Sequence, residues 1–254
     1  MSTPLTTPAI VLSAIRYSET SKIVRLATRE FGVQSAIAKG ALRPRSKFGA
    51  ALQLLSEGQA HLLVKVHREL HTLAAFDLVR LRVGLARELE RYATASALAE
   101  VMIHFAPADP HPESYELFRE SLDLLETAPS DQVQPLGYRV LWRLVSVLGF
   151  APSLDSCVHD GTSLPSGGGL PFNTREGGGL CSTCAAQYGA TQLPAQARED
   201  LVALLDPSAH LPRLDSRHAA AHRRLLARYI RYHLAEGAEL PALEFWVRRP
   251  WMAA

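Results

Sequence analysis

The sequence predicts an α+β protein: an N-terminal β-barrel over residues 1–80, then a helical region over residues 81–254 that carries a cysteine-bearing knuckle at about 153–190. Three observations predict it. The first stretch breaks into short runs rich in Val and Ile, separated by turn residues. From Asp77 the apolar residues recur at spacings of three and four, the period of a helix face. All three cysteines fall within one Gly- and Pro-rich segment, "CVHDGTSLPSGGGLPFNTREGGGLCSTC", from Cys157 to Cys184.

The strand candidates are "AIVLSAIRY", "KIVRLATRE", "VQSAIAKG", "GQAHLLVKVHREL" and "HTLAAFDLV", with Phe31–Gly32 punctuating the second and third. Five strands in so short a stretch suit a small Greek-key barrel, and the pattern alone leaves OB-fold and SH3-like barrels open. Leu78, Leu81, Leu85, Leu89 and Tyr92 then mark a helix face that runs to about Phe105 and stops at "APADPHP". Ser114 is the expected N-cap of a second helix, with Tyr115, Phe118, Leu122 and Leu125 on one side. A third helix is expected from Gln132 to Leu148, with Gly149 as its stop. Two more follow near Ala195–Leu205 and Ser216–Ala235, before an aromatic tail, "ALEFWVRRPW".

Of the 254 residues, 47% are hydrophobic and 20% charged, the balance of a globular chain. No apolar run reaches the length needed to cross a bilayer. The N-terminus lacks the basic and apolar regions of a signal peptide. Few cysteines, two of them in C-x-x-C, point to a reducing cytoplasm rather than a disulfide framework. The net charge of +2 hides an uneven distribution: Met1–Val83 holds twelve Lys/Arg against five Asp/Glu. Such polarity between halves suits a polyanionic partner.

Three constellations carry chemistry. In the knuckle, Cys181 and Cys184 are spaced to present two sulfurs to one ion, and Cys157 supplies a third. A tetrahedral zinc site needs a fourth ligand. Asp160 holds the position that completes C-x-x-D, His159 sits beside it as the alternative, and Gly161 follows as a turn residue. Such a site would be closed and structural; the other reading is a metal-free knuckle held by local packing. In the barrel, Arg16, Lys22 and Arg25 precede the loop "AKGALRPRSKFG", where Lys39, Arg43, Arg45 and Lys47 form a flexible cationic stretch suited to phosphates. Tyr17 or Phe48 is expected to stack on an unpaired base. In the last long helix, Arg217, Arg224, Arg228 and Arg231 share one face, a candidate track for DNA or an acidic peptide. No phosphate-binding G-x-x-x-x-G-K-[ST] and no G-x-S-x-G are present, so no nucleophile or nucleotide hydrolysis is expected. "HRE" at His67–Glu69 with "CSTC" imitates a zinc deaminase signature, but Leu180 stands where that signature needs Pro. His104, His111, His210 and His222 are scattered and read as structural or exposed.

These features in succession resemble the bacterial DNA repair protein RecO family. Tyr17-x-Glu19-x-x-x-Ile23-Val24, Thr28-x-x-x-Gly32, Lys39-Gly40 and the cysteine cluster carry the resemblance, which departs at Asp160, where the family has cysteine. It implies an OB-fold barrel, a helical domain and a zinc-finger-like insert. It also implies a non-enzymatic mediator of recombinational repair in the RecF pathway. Such a protein binds single- and double-stranded DNA, anneals strands without ATP, and works with RecR to load RecA where single-strand-binding protein, through its acidic C-terminal tail, is also a partner. A cytoplasmic, nucleoid-associated location is implied, with zinc as cofactor and no membrane contact. Lys39, Arg43, Arg45 and Lys47 would be the DNA-contacting loop. An RNA-binding OB-fold protein is the alternative, and a zinc-dependent nucleic-acid-modifying enzyme a remoter one.

Overall fold

The β-branched runs near the N-terminus pair into one sheet that closes on itself. A computed structural model describes residues 2–65, 67–235 and 237–252. They fall into two compact units, one ending at Thr127 and the other beginning at Ala128.

In the first unit, strands β1 (Ser2–Arg16), β2 (Lys22–Thr28), β3 (Gly32–Ala38), β4 (Glu57–Lys65) and β5 (Leu70–Arg80) form a closed barrel in the order β1-β2-β3-β5-β4. Only β3 and β5 run parallel, through Ser35↔Leu70 to Ile37↔Thr72. This is the OB-fold arrangement. Closure depends on the length of β1. Its first half pairs with β4 from Ser2↔Lys65 to Ile10↔Glu57, its second half pairs with β2 from Ala9↔Thr28 to Arg16↔Lys22, and a bulge near Val11 bends it between the two. The expected strand began only at Ala9. Pro4 and Pro8 conceal the rest, because proline donates nothing to a ladder and reads as a break.

Val24, Leu26, Ala36, Leu62 and Leu73 fill the barrel, all at most 2% exposed. Burying each of the larger side chains contributes about 1.5–3 kcal/mol. The β2–β3 turn requires Gly32: its φ is +65°, and a Cβ would lie 2.3 Å from the Asp109 carbonyl oxygen.

The helix face expected from Asp77 is not one face. Leu78 belongs to β5, which stays paired with β4 as far as Arg80↔Glu57. Leu85 lies in a short 3₁₀ turn, Val83–Arg87, and only Leu89 and Tyr92 belong to helix α1 (Leu89–Phe105). Backbone pairing outcompetes the helical spacing there. Helix α2 (Pro112–Thr127) starts before Ser114. His111 caps it instead, its Nδ1 accepting from the Ser114 N–H at 3.2 Å. Carboxylates of α2 hold arginines of the barrel side: Arg29 meets Glu116 at 2.7 Å, Arg80 meets Asp123 and Glu126 at 2.7 and 2.6 Å, and buried Arg82 meets Asp123 at 2.5 Å and also Glu57 of β4 at 2.6 Å.

The second unit is helical, built from α3 (Val133–Val145), α5 (Ala195–Leu205), α6 (Ser216–His233) and α7 (Pro241–Arg248). The first of these continues into a short π-helical turn, Ser146–Phe150, inside which Gly149, at φ +93°, leaves the helical conformation, the stop expected there. The core is aromatic: Trp142 packs edge-on to Tyr229 at 5.1 Å, and Tyr138 edge-on to Trp246 at 5.7 Å. The aromatic tail thus folds as a helix, its Trp246 fully buried. The knuckle lies between α3 and α5. It holds a small sheet of β6 (Leu170–Asn173), β7 (Gly178–Gly179) and β8 (Thr191–Leu193), in the order β7-β6-β8, and a short helix α4 (Ser182–Tyr188). No described helix is long and apolar enough to cross a membrane.

Candidate functional site

The barrel end where β1 turns into β2 collects the cations. Register places Arg16 opposite Lys22, and Lys22 opposite Ala38, so Lys39 emerges beside both. The β3–β4 loop begins there and is tied to the β1–β2 turn by the Leu42 N–H, which donates to the Thr20 carbonyl at 3.0 Å. Successive turns follow, with Arg43 N–H on Gly40, Ser46 N–H on Arg43 and Gly49 N–H on Ser46. Phe48, Ala51 and Leu52 then drop into the barrel core. The loop is therefore a folded plug rather than a flexible strap. Its apolar residues face inward, and Lys39, Arg43, Arg45 and Lys47 remain exposed.

None of these four, nor Arg16 or Lys22, meets a carboxylate among the described residues. Arg16 only touches the Ser18 carbonyl, at 3.4 Å, and Lys47 leans over the Phe48 ring at 5.5 Å. Six cations left without counter-charge repel one another unless an outside anion neutralises them. Tyr17 is 59% exposed within this group.

Two sequence candidates do not belong to the cluster. Phe48 is 2% exposed and cannot meet a base. Arg25 is partly buried and donates through Nη2 to the Ile103 carbonyl of α1 at 3.0 Å. Burial lowers its pKa, partly offset by the charge of Glu69. It joins the barrel to α1 rather than facing solvent.

In the knuckle, donor atoms of Cys157, Asp160, Cys181 and Cys184 all lie within 4.8 Å of one another. Two turns present them. In the first, the Gly161 N–H closes on the Cys157 carbonyl at 2.9 Å, and Gly161 takes φ +72°. In the second, the Cys184 N–H points at Cys181 Sγ at 3.4 Å and α4 begins. Asp160 Oδ2 accepts from the Cys181 and Cys184 thiols at 3.2 and 3.4 Å. The alternative ligand, His159, faces elsewhere: its Nε2 meets Glu176 at 2.9 Å and its ring stacks on Tyr188 at 3.7 Å.

The electrostatics of the four groups are mutual. The Thr162 backbone N–H, then the Cys157 and Cys181 thiols, hold the Asp160 carboxyl well below the usual carboxylate range. Burial opposes ionisation of Cys157, but donation from the backbone of Cys181, Asp160 and His159 outweighs it and lowers the thiol pKa. Burial, then the neighbouring thiols and Asp160, push Cys184 up to about 12. Three sulfurs and one carboxylate oxygen at this separation can hold a metal ion, since a tetrahedral site sets its sulfurs about 3.8 Å apart.

On α6, Arg217, Arg224, Arg228 and Arg231 are exposed as expected, but Arg231 is engaged by Glu244. The decoy histidine, His67, sits in the β4–β5 turn at φ +64°. His222 is buried 3.5 Å from Asp200.

A further residue escaped the sequence reading. Arg139 of α3 is 8% exposed, and its Nη2 donates to the carbonyls of Ala203, Ala209 and His210 at 2.9, 2.8 and 3.2 Å. It meets no carboxylate among the described residues, and burial lowers its pKa, with Asp206 opposing. It lines a cavity of about 750 Å³ with His210, Leu211, Pro212 and Arg213. Its signal was that it is one of two arginines in a helix otherwise mostly apolar.

The profile for the recombination protein O N-terminal region matches residues 1–82, and that for its C-terminal region matches residues 86–240. The chain belongs to the RecO family. Among its relatives, the DNA repair protein RecO of Symbiobacterium thermophilum is 37% identical over 227 residues, covering 87% of this chain and 88% of the relative. The DNA repair protein RecO of Anaeromyxobacter sp. strain Fw109-5 is 32% identical, with 93% of each covered. That of Rubrobacter xylanophilus is 29% identical over 89% and 88%. The chain thus belongs to a family of DNA repair and recombination proteins.

Proposed function

We propose that this protein binds single- and double-stranded DNA through the barrel end and anneals complementary strands without ATP. The observation that carries the reading is the six cations there that lack counter-charge. Phosphates supply that charge and release their own counterions in doing so. Annealing follows from the same chemistry. Complementary strands repel through their phosphates, and a positive surface screens the repulsion while raising the local concentration of both. Tyr17 offers a stacking face to an unpaired base. As the family resemblance implies, the protein would act with RecR to let RecA replace single-strand-binding protein. Its place would be on the nucleoid, in the cytoplasm. We assign the acidic tail of single-strand-binding protein to the Arg139 cavity rather than to the α6 stripe, because a desolvated guanidinium beside Leu211 and Pro212 suits a carboxylate next to apolar side chains.

Zinc would be held by Cys157, Asp160, Cys181 and Cys184. Bound there, it joins the two knuckle turns as a structural cross-link, the only chemistry it supplies. The buried core of the knuckle is small, with Leu180 beside Cys157 and Cys184, so the cross-link matters to its fold.

Annealing of two labelled complementary oligonucleotides without any nucleoside triphosphate tests the function. Strand pairing should accelerate with added protein; pairing at the uncatalysed rate contradicts the proposal. Mass spectrometry of the purified protein should find about one zinc per chain. Cys181→Ser should lose that zinc and melt earlier, and a variant that melts like the parent contradicts a structural metal.

A further inference from the structure

The hairpin turn of the knuckle is fixed in place. Asn173 Oδ1 accepts from the N–H groups of Arg175 and Glu176 at 2.8 and 3.3 Å, a side-chain turn that orders the tip. Helix α6 then clamps it: the Tyr229 hydroxyl donates to the Gly177 carbonyl at 3.2 Å, and His233 Nε2 donates to the Thr174 carbonyl at 2.7 Å. The result sets the Arg175 guanidinium 5.9 Å over the Tyr232 ring and opens a cleft of about 460 Å³.

Arg175 and Arg228 are the charged residues that line this cleft. Both are exposed, and neither meets a carboxylate among the described residues. The nearby acid, Glu176, is occupied by His159 at 2.9 Å. Tyr188 lines the same cleft and is 45% exposed, and Tyr232 beside Arg175 is 52% exposed. Arg224 lies one helical turn before Arg228 and extends the positive face. Cations without carboxylate partners, interleaved with exposed rings, are the makings of a single-strand site: charge for the backbone and flat faces for bases.

We propose that the cleft between the knuckle hairpin and α6 is a second nucleic-acid site, in which Arg175 and Arg228 hold the phosphates of a single strand and Tyr188 stacks a base. The proposal rests on the reading that the barrel end binds DNA, and it supplies what annealing needs besides, a place for a second strand. It also gives the knuckle a role, since the clamped hairpin presents one of the two arginines.

The test measures binding of a fluorescent oligothymidylate across a range of salt concentrations. The full chain is compared with Arg175→Ala/Arg228→Ala, with the barrel variant Lys39→Ala/Arg43→Ala/Arg45→Ala, and with both sets combined. Removing the cleft pair should flatten the slope of log K against log salt by about 1.4, at about 0.7 per single-strand phosphate contact. Arg175→Lys/Arg228→Lys should restore it, which separates lost charge from lost structure. If the cleft pair keeps the parent slope while the barrel variant does not, the cleft proposal fails and the barrel reading stands. A normal slope in the barrel variant with a reduced one in the cleft pair upholds the cleft and overturns the barrel reading. A cleft pair that binds DNA normally but loses affinity for a polyglutamate peptide is a peptide site, and that also overturns the proposal.

Discussion

Arg82 and Arg43 belong to the same unit and have opposite surroundings. The Arg82 side chain is 1% exposed and lies between Glu57 and Asp123. Arg43 is exposed, and no carboxylate among the described residues approaches it. Arg29, Arg80 and Arg119 resemble Arg82, each held by acids of α2. Arg16, Lys22, Lys39, Arg45 and Lys47 resemble Arg43. The positive excess of the N-terminal segment is thus divided in space. Where α2 packs on the barrel, the fold neutralises its own cations; at the β1–β2 end it leaves them bare. Charge spent on internal ion pairs contributes to stability and offers nothing to a partner, whereas bare charge costs some stability and is available for binding.

The largest effects should fall on the internal side of that division. Arg82→Ala leaves Glu57 partly buried without a cation and takes one of three cations from Asp123, and should lower unfolding free energy by about 3–5 kcal/mol in a urea titration. Folded variant protein should keep the parent salt dependence of DNA binding. Phe48→Ala sharpens the comparison within one loop, because Phe48 plugs the core while Lys47 next to it faces water. It should cost about 3–5 kcal/mol, whereas Lys47→Ala should fall within about 0.5 kcal/mol of the parent. A Phe48→Ala protein as stable as the parent would show that the loop is not a plug.

Arg25→Ala comes next. If its guanidinium ties β2 to α1, removal should cost about 1 kcal/mol and leave the salt slope unchanged. A flattened slope would return Arg25 to the DNA-binding group.

Acid should separate the two groups with a smaller effect. Burial opposes ionisation of Asp123, but Arg82, Arg80 and Arg119 outweigh it and hold its pKa below the usual value. Glu116 is lowered in the same way, with burial opposing and Arg119 and Arg29 prevailing. A carboxylate with a depressed folded pKa contributes stability in full above its unfolded value, near 4, and loses it as pH falls through the folded value. Urea midpoints should therefore fall progressively below about pH 5, while the bare cations keep their charge. A midpoint flat through that range would mean that these pairs contribute nothing.

How much of this was legible follows from the same division. Alternation of Val, Ile and Ala announces the barrel, because each strand buries one face. The first half of β1 is silent, since Pro4 and Pro8 hide a strand that only pairing with β4 makes. Leu78, Leu81 and Leu85 imitate a helix because spacing alone cannot register a ladder that extends to Arg80. Cysteine spacing places the knuckle, but its strands are short and Gly-rich, and Gly178–Gly179 has no side chains to form a pattern. Among the cations, sequence reports charge and not partners. Arg16 and Arg25 look alike in the string, and only the fold turns one to water and the other to the Ile103 carbonyl. Asp160 and His159 are equally plausible ligands until the turn at Gly161 directs one toward the sulfurs and the other toward Tyr188.

The most direct test of the central claim is the salt dependence of DNA binding by Lys39→Ala/Arg43→Ala/Arg45→Ala. With the six bare cations neutralising phosphates, the triple variant should melt within a degree or two of the parent and flatten the slope of log K against log salt by about two units. A variant that retains the parent slope would contradict the claim that this end of the barrel holds the nucleic-acid backbone.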